Sequence, residues 1–160
     1  LDFLFCRCKN LMIFIYICIM RIIKCGKDDY SILVGIWERS VRATHKFLSK
    51  AVFNEIKAAL EPLYFPNVDL YAVDDNGVLV GFIGLRSDTI EMLFIDSDRR
   101  NQGYGSALTD FAIQKGATKV DVNEQNPSAL NFYTAKGFRI ISRDETDDAG
   151  RPYPILHLSL

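Results

Sequence analysis

The sequence predicts one α/β domain with a mixed sheet. Apolar segments of strand and helix periodicity follow one another in the order β-α-α-β-β-β-α-β-α-β-β. Glycine, proline and asparagine residues separate these segments, as turns require. With 160 residues, of which 49% are apolar and 24% charged, the chain has the size and composition of a single packed domain.

The first elements are a strand at 20–25 and two helices at 28–44 and 49–60. An aspartate at the start of the first helix can cap it, and the apolar residues of that helix recur on one face. We expect the second helix to stop before Pro62, because proline has no N–H and its ring clashes with the preceding turn.

Three strands of a meander follow at 69–73, 78–86 and 89–95. The residues between the first two strands end in Asn76-Gly77, which is a strong hairpin signal because both residues tolerate a positive φ. These strands are therefore expected to be neighbours in the sheet.

The rest of the chain supplies two more helices and three more strands, at helix 104–115, strand 119–123, helix 126–136, strand 138–143 and strand 155–160. Gly116 and Gly137 end the two helices, and Asn126 caps the second. Seven strands and four helices are thus predicted for residues 20–160.

Composition excludes several classes of function. The net charge of −1 excludes a strongly basic nucleic-acid-binding domain. All four cysteines fall within the first 25 residues, so neither a disulfide framework nor a cysteine-rich metal site is expected in the domain. His45 and His157 are too few and too isolated to indicate a zinc site.

Residues 1–19 differ in composition from the rest, since they are mostly apolar with few charges. The apolar run is shorter than the roughly 20 residues of a membrane-spanning helix, and no small-residue cleavage site follows it. We expect this extension to lie outside the native domain, translated from upstream of a start at Met20. A membrane or export signal and a genuine part of the fold are the alternatives.

A glycine-containing loop connects the strand at 89–95 to the helix at 104–115. Gly103 and Gly105 let backbone N–H groups approach an anion, and the helix N-terminus adds a favourable dipole. Leu108 stands where a dinucleotide fingerprint needs a small residue, and the Gly-Lys-Ser/Thr of a P-loop is missing. Two interpretations of the loop remain: it binds a phosphorylated ligand of another kind, or it is only a tight turn between strand and helix.

Two spaced motifs resolve this choice. Arg100-x-x-Gly103-x-Gly105 resembles the acetyl-CoA pyrophosphate loop of the GNAT acetyltransferase superfamily, and residues 126–138 resemble its second motif. The element order matches as well. The resemblance implies an α/β (α+β) GNAT fold with a mostly antiparallel sheet, split between the strands at 89–95 and 119–123.

The resemblance also implies a site for acetyl-CoA. Backbone groups near Leu93, Phe94 and Ile95 would bind the pantetheine arm and polarise the thioester. Arg99 or Arg100 would add positive charge beside the phosphates, and Asn126 would bond the pantetheine as well as cap its helix. The pyrophosphate would be held by the backbone amides of Asn101, Gln102, Gly103, Tyr104, Gly105 and Ser106.

Tyr133 occupies the motif position at which this family places the acid that protonates the departing thiolate. A phenol, with an ordinary pKa near 10, is protonated at pH 7. Glu91 is the candidate proton acceptor, because side-chain alternation would place it on the face of Leu93. His45 is the other titratable candidate, and Trp37, His45 and Tyr153 are expected to line the acceptor pocket.

The sequence therefore predicts a cytoplasmic, acetyl-CoA-dependent N-acetyltransferase in which a primary amine attacks the thioester directly. No cysteine lies near the motifs to form a covalent intermediate. The acceptor is a small-molecule or protein amine, and the chain is a monomer or homodimer. No nucleic acid, metal or membrane partner is expected, unless the extension is native. A non-catalytic acyl-CoA-binding regulatory module is the alternative.

Overall fold

The computed structural model describes residues 20–160, and the predicted extension at 1–19 lies outside the described residues. The described chain contains seven strands and four α-helices, in the order predicted. They are β1 (Met20–Lys24), α1 (Tyr30–Thr44), α2 (Lys50–Ala59), β2 (Asp69–Asp75), β3 (Val78–Arg86), β4 (Thr89–Ile95), α3 (Tyr104–Gln114), β5 (Lys119–Asn123), α4 (Pro127–Ala135), β6 (Arg139–Asp144) and β7 (Ile155–Ser159).

All seven strands form one sheet in the order β1-β2-β3-β4-β5-β7-β6. Every neighbouring pair is antiparallel except β4 and β5, which are parallel. That parallel pair is short: only Thr89 pairs with Lys119, and Ile90 with Val120. Beyond these residues the two strands separate. The fold class and the split predicted from the sequence are confirmed.

A register shift interrupts β4 at the point where it leaves β5. Ile90 and Met92 lie opposite consecutive residues of β3, so Glu91 is an extra residue in β4. Ile90 and Leu93 both pack against the helices α3 and α4, whereas Met92 packs on the opposite face. Simple alternation does not extend across this bulge, so the placement of Glu91 on the face of Leu93 stays a prediction.

The sheet separates two apolar clusters. One lies beneath α1 and α2 and includes Trp37, Phe53 and Phe82. The other lies beneath α3 and α4 and includes Leu108 and Phe138. Because each helix pair covers one face, both faces of the central strands are shielded from water.

The α-helix α2 ends at Ala59, before Pro62, as expected, and a turn of a different helix type follows it. Pro62 lies within a wide π-helical turn, Leu60–Tyr64, that continues directly from α2. The N–H of Phe65 closes this turn on the carbonyl of Leu60. Widening the helix at this point accommodates a residue that can neither donate an N–H nor tolerate the close carbonyl of a regular α-helix.

Candidate active site

The separation of β4 from β5 opens a cleft of about 120 Å³ in the sheet. The two strands form its sides, and α4 contributes Asn126, Ala129 and Tyr133. His45, at the C-terminal end of α1, lines the same cleft. Residues from four separate elements therefore meet at the place where the sequence predicts acyl transfer.

The cleft exposes unpaired backbone groups on β4. Residues 92–95 pair with β3 along one edge, with Phe94 opposite Phe82. On the other edge, no described residue of β4 beyond Ile90 pairs with β5. In an antiparallel strand alternate N–H and C=O groups point away from the partner, so those of the segment 91–95 point into the cleft. A ligand that offers amides can pair with them as a strand would.

The loop before α3 is shaped to present N–H groups. Asn101 has a φ of 60° and Gly103 a φ of 88°, the left-handed conformation for which glycine is suited. Within the described chain, the N–H groups of Asn101, Gln102, Gly103, Gly105 and Ser106 donate no hydrogen bond. Such donors at a helix N-terminus favour an anion.

The two arginines of this loop have different roles. Arg99 Nη1 lies 3.6 Å from Asp75 Oδ2, so its charge has a counter-ion. Arg100 is exposed and has no carboxylate partner among the described residues. Of the two arginines that the sequence left open, Arg100 is the one whose charge is available to a ligand.

Asp75 contacts residues at both ends of the loop. It was not singled out from the sequence as a functional residue. Its carboxylate accepts a hydrogen bond of 2.8 Å from the Tyr104 hydroxyl and faces Arg99, while the residue itself is 9% exposed. Tyr104 and Arg99 flank residues 100–103. One carboxylate at the end of β2 thus fixes the conformation of the predicted anion-binding segment. The Tyr104 side chain turns inward, so only its backbone can serve the ligand.

We expect Asp75→Asn to raise the Kd for acetyl-CoA on the order of tenfold and to leave kcat at saturating acetyl-CoA unchanged. The amide keeps the side-chain shape but weakens the charge-assisted contacts that hold the loop. Calorimetric titration and steady-state kinetics measure the two quantities. Asp69→Asn, which removes an exposed carboxylate paired with Lys24, is the matched control. An unchanged Kd would show that the loop holds its shape without Asp75.

Tyr133 presents its hydroxyl to the cleft. The residue is 5% exposed, and its ring packs edge-on against Phe132 and Phe138 at centroid distances of 5.1 and 5.5 Å. Among the described residues its hydroxyl has no hydrogen-bond partner, yet no fully buried side-chain polar atom is left unsatisfied. The hydroxyl therefore reaches the open cleft. Burial raises the pKa of Tyr133, which keeps the phenol protonated.

Asn126 has the capping role predicted for it. Its side-chain oxygen accepts a hydrogen bond of 3.2 Å from the N–H of Ala129. Because the cap uses only the oxygen, the side-chain amide nitrogen of this cleft residue is left to donate to a ligand. The structural role and the predicted role in binding are therefore compatible.

The two candidate proton acceptors, Glu91 and His45, both line the cleft but differ in their hydrogen-bond partners. Glu91 Oε1 accepts two hydrogen bonds from Arg86, at 2.8 and 2.6 Å, so this carboxylate is held as a counter-ion. His45 lies 2.7 Å from the Thr44 hydroxyl through Nδ1. Burial, with a smaller contribution from the charge of Arg100, lowers the pKa of His45 to about 4.

The other predicted pocket residues lie away from the cleft. Trp37 is 3% exposed and packs in the core, 5.0 Å from Phe53 and 6.4 Å from Phe94 between ring centroids. Tyr153 contacts Phe47 at 6.0 Å on the loop between β6 and β7. The structure thus brings His45 to the cleft, whereas Trp37 and Tyr153 are not among the residues that line it.

His157 links the three strands of the smaller half of the sheet. Its ring nitrogens lie 2.7 Å from Asp121 on β5 and 3.0 Å from Asp144 on β6. Hydrogen bonds to these carboxylates, Asp121 first, raise the pKa of His157. The charged imidazole is thus favoured in the folded chain.

This linkage makes stability depend on pH in a defined direction. Because the folded-state pKa of His157 is raised, its contribution is complete below the unfolded pKa near 6.5 and is lost as pH rises through the folded value. The stability difference between the wild type and His157→Gln should therefore be larger at about pH 5.5 than at about pH 9. Urea unfolding at the two pH values measures it. A difference that is equal at both would contradict the linkage.

The split sheet, the loop of free N–H groups and the protonated phenol together define an N-acetyltransferase of the GNAT type. The chain belongs to this family: residues 37–153 match the model described as Acetyltransferase (GNAT) domain. The resemblance inferred from the two sequence motifs is confirmed, and the chain is an N-acetyltransferase rather than a binding module.

Within this family, the chain is similar to proteins named YjaB. The chain is 43% identical over 129 residues to the peptidyl-lysine N-acetyltransferase YjaB of Salmonella typhimurium, covering 79% of this chain and 88% of the relative. It is 40% identical to YjaB of Escherichia coli, covering 79% and 87%. The solution structure of apo-form YjaB from Escherichia coli superposes with a TM-score of 0.81 at 36% identity, covering 88% of this chain and 97% of that one.

Proposed function

We propose that this enzyme transfers the acetyl group of acetyl-CoA to the side-chain amine of a lysine in a protein or peptide. The observation that carries the proposal is the cleft between β4 and β5, which joins unpaired strand edges to the anion-binding loop. The proposed class of acceptor rests on the two YjaB relatives, at 43% and 40% identity, whose names specify peptidyl lysine.

The residues present fit acetyl-CoA. The free N–H groups of the loop and the unpaired Arg100 match a pyrophosphate. The β4 edge at 91–95 matches the two amides of the pantetheine arm, and the Asn126 amide nitrogen can donate to the same arm. The pyrophosphate and the amides of the pantetheine arm thus each meet polar groups of the chain that make no other hydrogen bond among the described residues.

When bound, acetyl-CoA supplies an acetyl group activated as a thioester. A free N–H of β4 near Leu93 polarises the carbonyl oxygen as it gains negative charge. Tyr133 donates its phenolic proton to the departing sulfur. Cys25 packs with the α1 and α2 cluster, and burial raises the pKa of its thiol to about 11, so it forms no nucleophile for a covalent step. Because residues 26–160, which carry both motifs, contain no cysteine, we infer that the amine attacks the thioester directly.

The proposal is tested by binding and by turnover. Calorimetric titration of the chain with acetyl-CoA should give saturable one-site binding, and mass spectrometry should show acetylation of a lysine peptide. Arg100→Gln should weaken binding about tenfold through the lost phosphate contact. Arg139→Gln, at an exposed position of β6, makes the same charge change without effect. Absence of binding by the folded wild type would overturn the proposal.

We also assign the enzyme to the cytoplasm, as a monomer or homodimer. The support is compositional: Cys25 is free, as is usual in a reducing compartment. Within residues 20–160, no helix has the length and apolar character that crossing a bilayer requires. Cell fractionation and light scattering of the purified chain test the two statements.

A further inference from the structure

His45 is held rigidly in the cleft at the end of α1. Its N–H donates to the carbonyl of Val41 at 2.8 Å, which fixes the backbone as the C-cap of the helix. Its ring lies against Phe94 and Phe47, at centroid distances of 6.3 and 5.3 Å. The imidazole and the Tyr133 hydroxyl therefore line the same cleft. They belong to helices that cover opposite faces of the sheet.

The hydrogen bonds of Thr44 determine which ring nitrogen of His45 carries the proton. The Thr44 hydroxyl lies 2.8 Å from the carbonyl oxygen of Ser40 and 2.7 Å from Nδ1 of His45. A carbonyl cannot donate, so the single hydroxyl proton goes to Ser40. The hydrogen in the second contact must then come from Nδ1. Nε2 is left with its lone pair free.

Burial of the ring, aided by the charge of Arg100, keeps His45 neutral. Arg100 faces it from the loop before α3, while Glu91 of β4 and Asp121 of β5 line the same cleft. Burial and the Arg100 charge hold the pKa of His45 near 4, so at pH 7 the imidazole is an acceptor and not a cation. Glu91, in contrast, is engaged by Arg86 through two hydrogen bonds.

On the basis of the proposed function, we propose that His45 is a further catalytic residue, whose Nε2 accepts the proton of the acceptor amine. The neutral amine donates a hydrogen bond to Nε2, which aims the nitrogen lone pair at the thioester carbonyl. As the N–C bond forms, the nitrogen becomes acidic and its proton moves to Nε2. As the C–S bond breaks, the sulfur takes the proton of Tyr133. Solvent then carries the proton from His45 back to Tyr133.

The tautomer is tested without turnover. The chain contains two histidines, so a sample with nitrogen-15 in histidine alone gives two imidazoles, and His157→Gln assigns them. In the complex with coenzyme A, His45 should show a protonated Nδ1 and an unprotonated Nε2 at pH 7. A protonated Nε2 or a cationic ring would overturn the proposal.

Kinetics test the role itself. His45→Gln should lower kcat on the order of 10²-fold, with the Kd for acetyl-CoA within about twofold of the wild type. Thr44→Val should lower kcat by a smaller factor, on the order of tenfold, because the tautomer is no longer fixed, and Thr44→Ser should restore it. If His45→Gln binds acetyl-CoA and retains wild-type kcat, the role of His45 is refuted, whereas acetyl transfer still stands. Loss in Glu91→Gln instead would assign the proton to that carboxylate.

Discussion

Replacing Tyr133 with phenylalanine should lower kcat about 10²- to 10³-fold while the Kd for acetyl-CoA stays within about twofold. The change removes only the hydroxyl, so the ring contacts with Phe132 and Phe138 are kept. The hydroxyl has no partner in the described chain, so no internal hydrogen bond is lost. The variant lacks the phenolic proton that Tyr133 is proposed to donate to the departing sulfur.

Steady-state kinetics with a lysine peptide and calorimetry with acetyl-CoA separate the two effects. Tyr64→Phe is the control, because Tyr64 is 40% exposed and does not line the cleft, so loss of its hydroxyl should leave kcat unchanged. An undiminished kcat in Tyr133→Phe would mean that solvent protonates the sulfur. Equal losses in kcat and in affinity would mean that the hydroxyl serves binding.

Phe82→Ala should lower the free energy of unfolding by about 3–5 kcal/mol, the usual cost of emptying a buried phenylalanine site. Phe82 is 0% exposed in the middle of β3, with Phe65 and Phe94 at ring-centroid distances of 5.8 and 5.7 Å. Its removal deprives both neighbours of a contact surface. Since Phe94 belongs to the cleft-lining segment of β4, weaker cofactor affinity should accompany the loss.

Urea unfolding monitored by circular dichroism measures this effect. Ile141→Ala is the matched control, because Ile141 is 63% exposed on β6 and its truncation should change stability by no more than about 0.5 kcal/mol. A loss below about 1 kcal/mol in Phe82→Ala would show that the two neighbouring rings move in to fill the space.

The fold could be predicted from the sequence because its signals are local. Asn76-Gly77 marks a hairpin, Asn126 marks a helix start, and glycines mark two helix ends, each through the conformations available to one or two residues. Pro62 likewise marks the end of α2 at Ala59, but the π-helical turn over Leu60–Tyr64 that follows was not predicted.

The candidate site was predictable where motifs carry it and unpredictable where distant residues meet. The loop at 100–106 and Tyr133 were predicted from the resemblance of two motifs to those of the GNAT family. Asp75 was missed because its contacts with Arg99 and Tyr104 join segments more than twenty residues apart. The bulge at Glu91 was missed because it depends on how β4 pairs with β3, which no pattern within β4 specifies.

The two residue pairs that connect β4 to β5 have a consequence for the energetics of the whole domain. Strands β1 to β4 form one half-sheet, and strands β5, β6 and β7 form the other. Strand pairing between the halves is confined to Thr89 and Ile90 with their partners, beside which the Asp88 carbonyl accepts from the N–H groups of Thr118 and Lys119. A ligand bound between the two half-sheets contacts both of them and therefore stabilises the folded state. At a concentration of 100 times its Kd, it adds about 2.7 kcal/mol to the unfolding free energy. The unfolded fraction of the protein should therefore fall as the supply of its acyl donor rises.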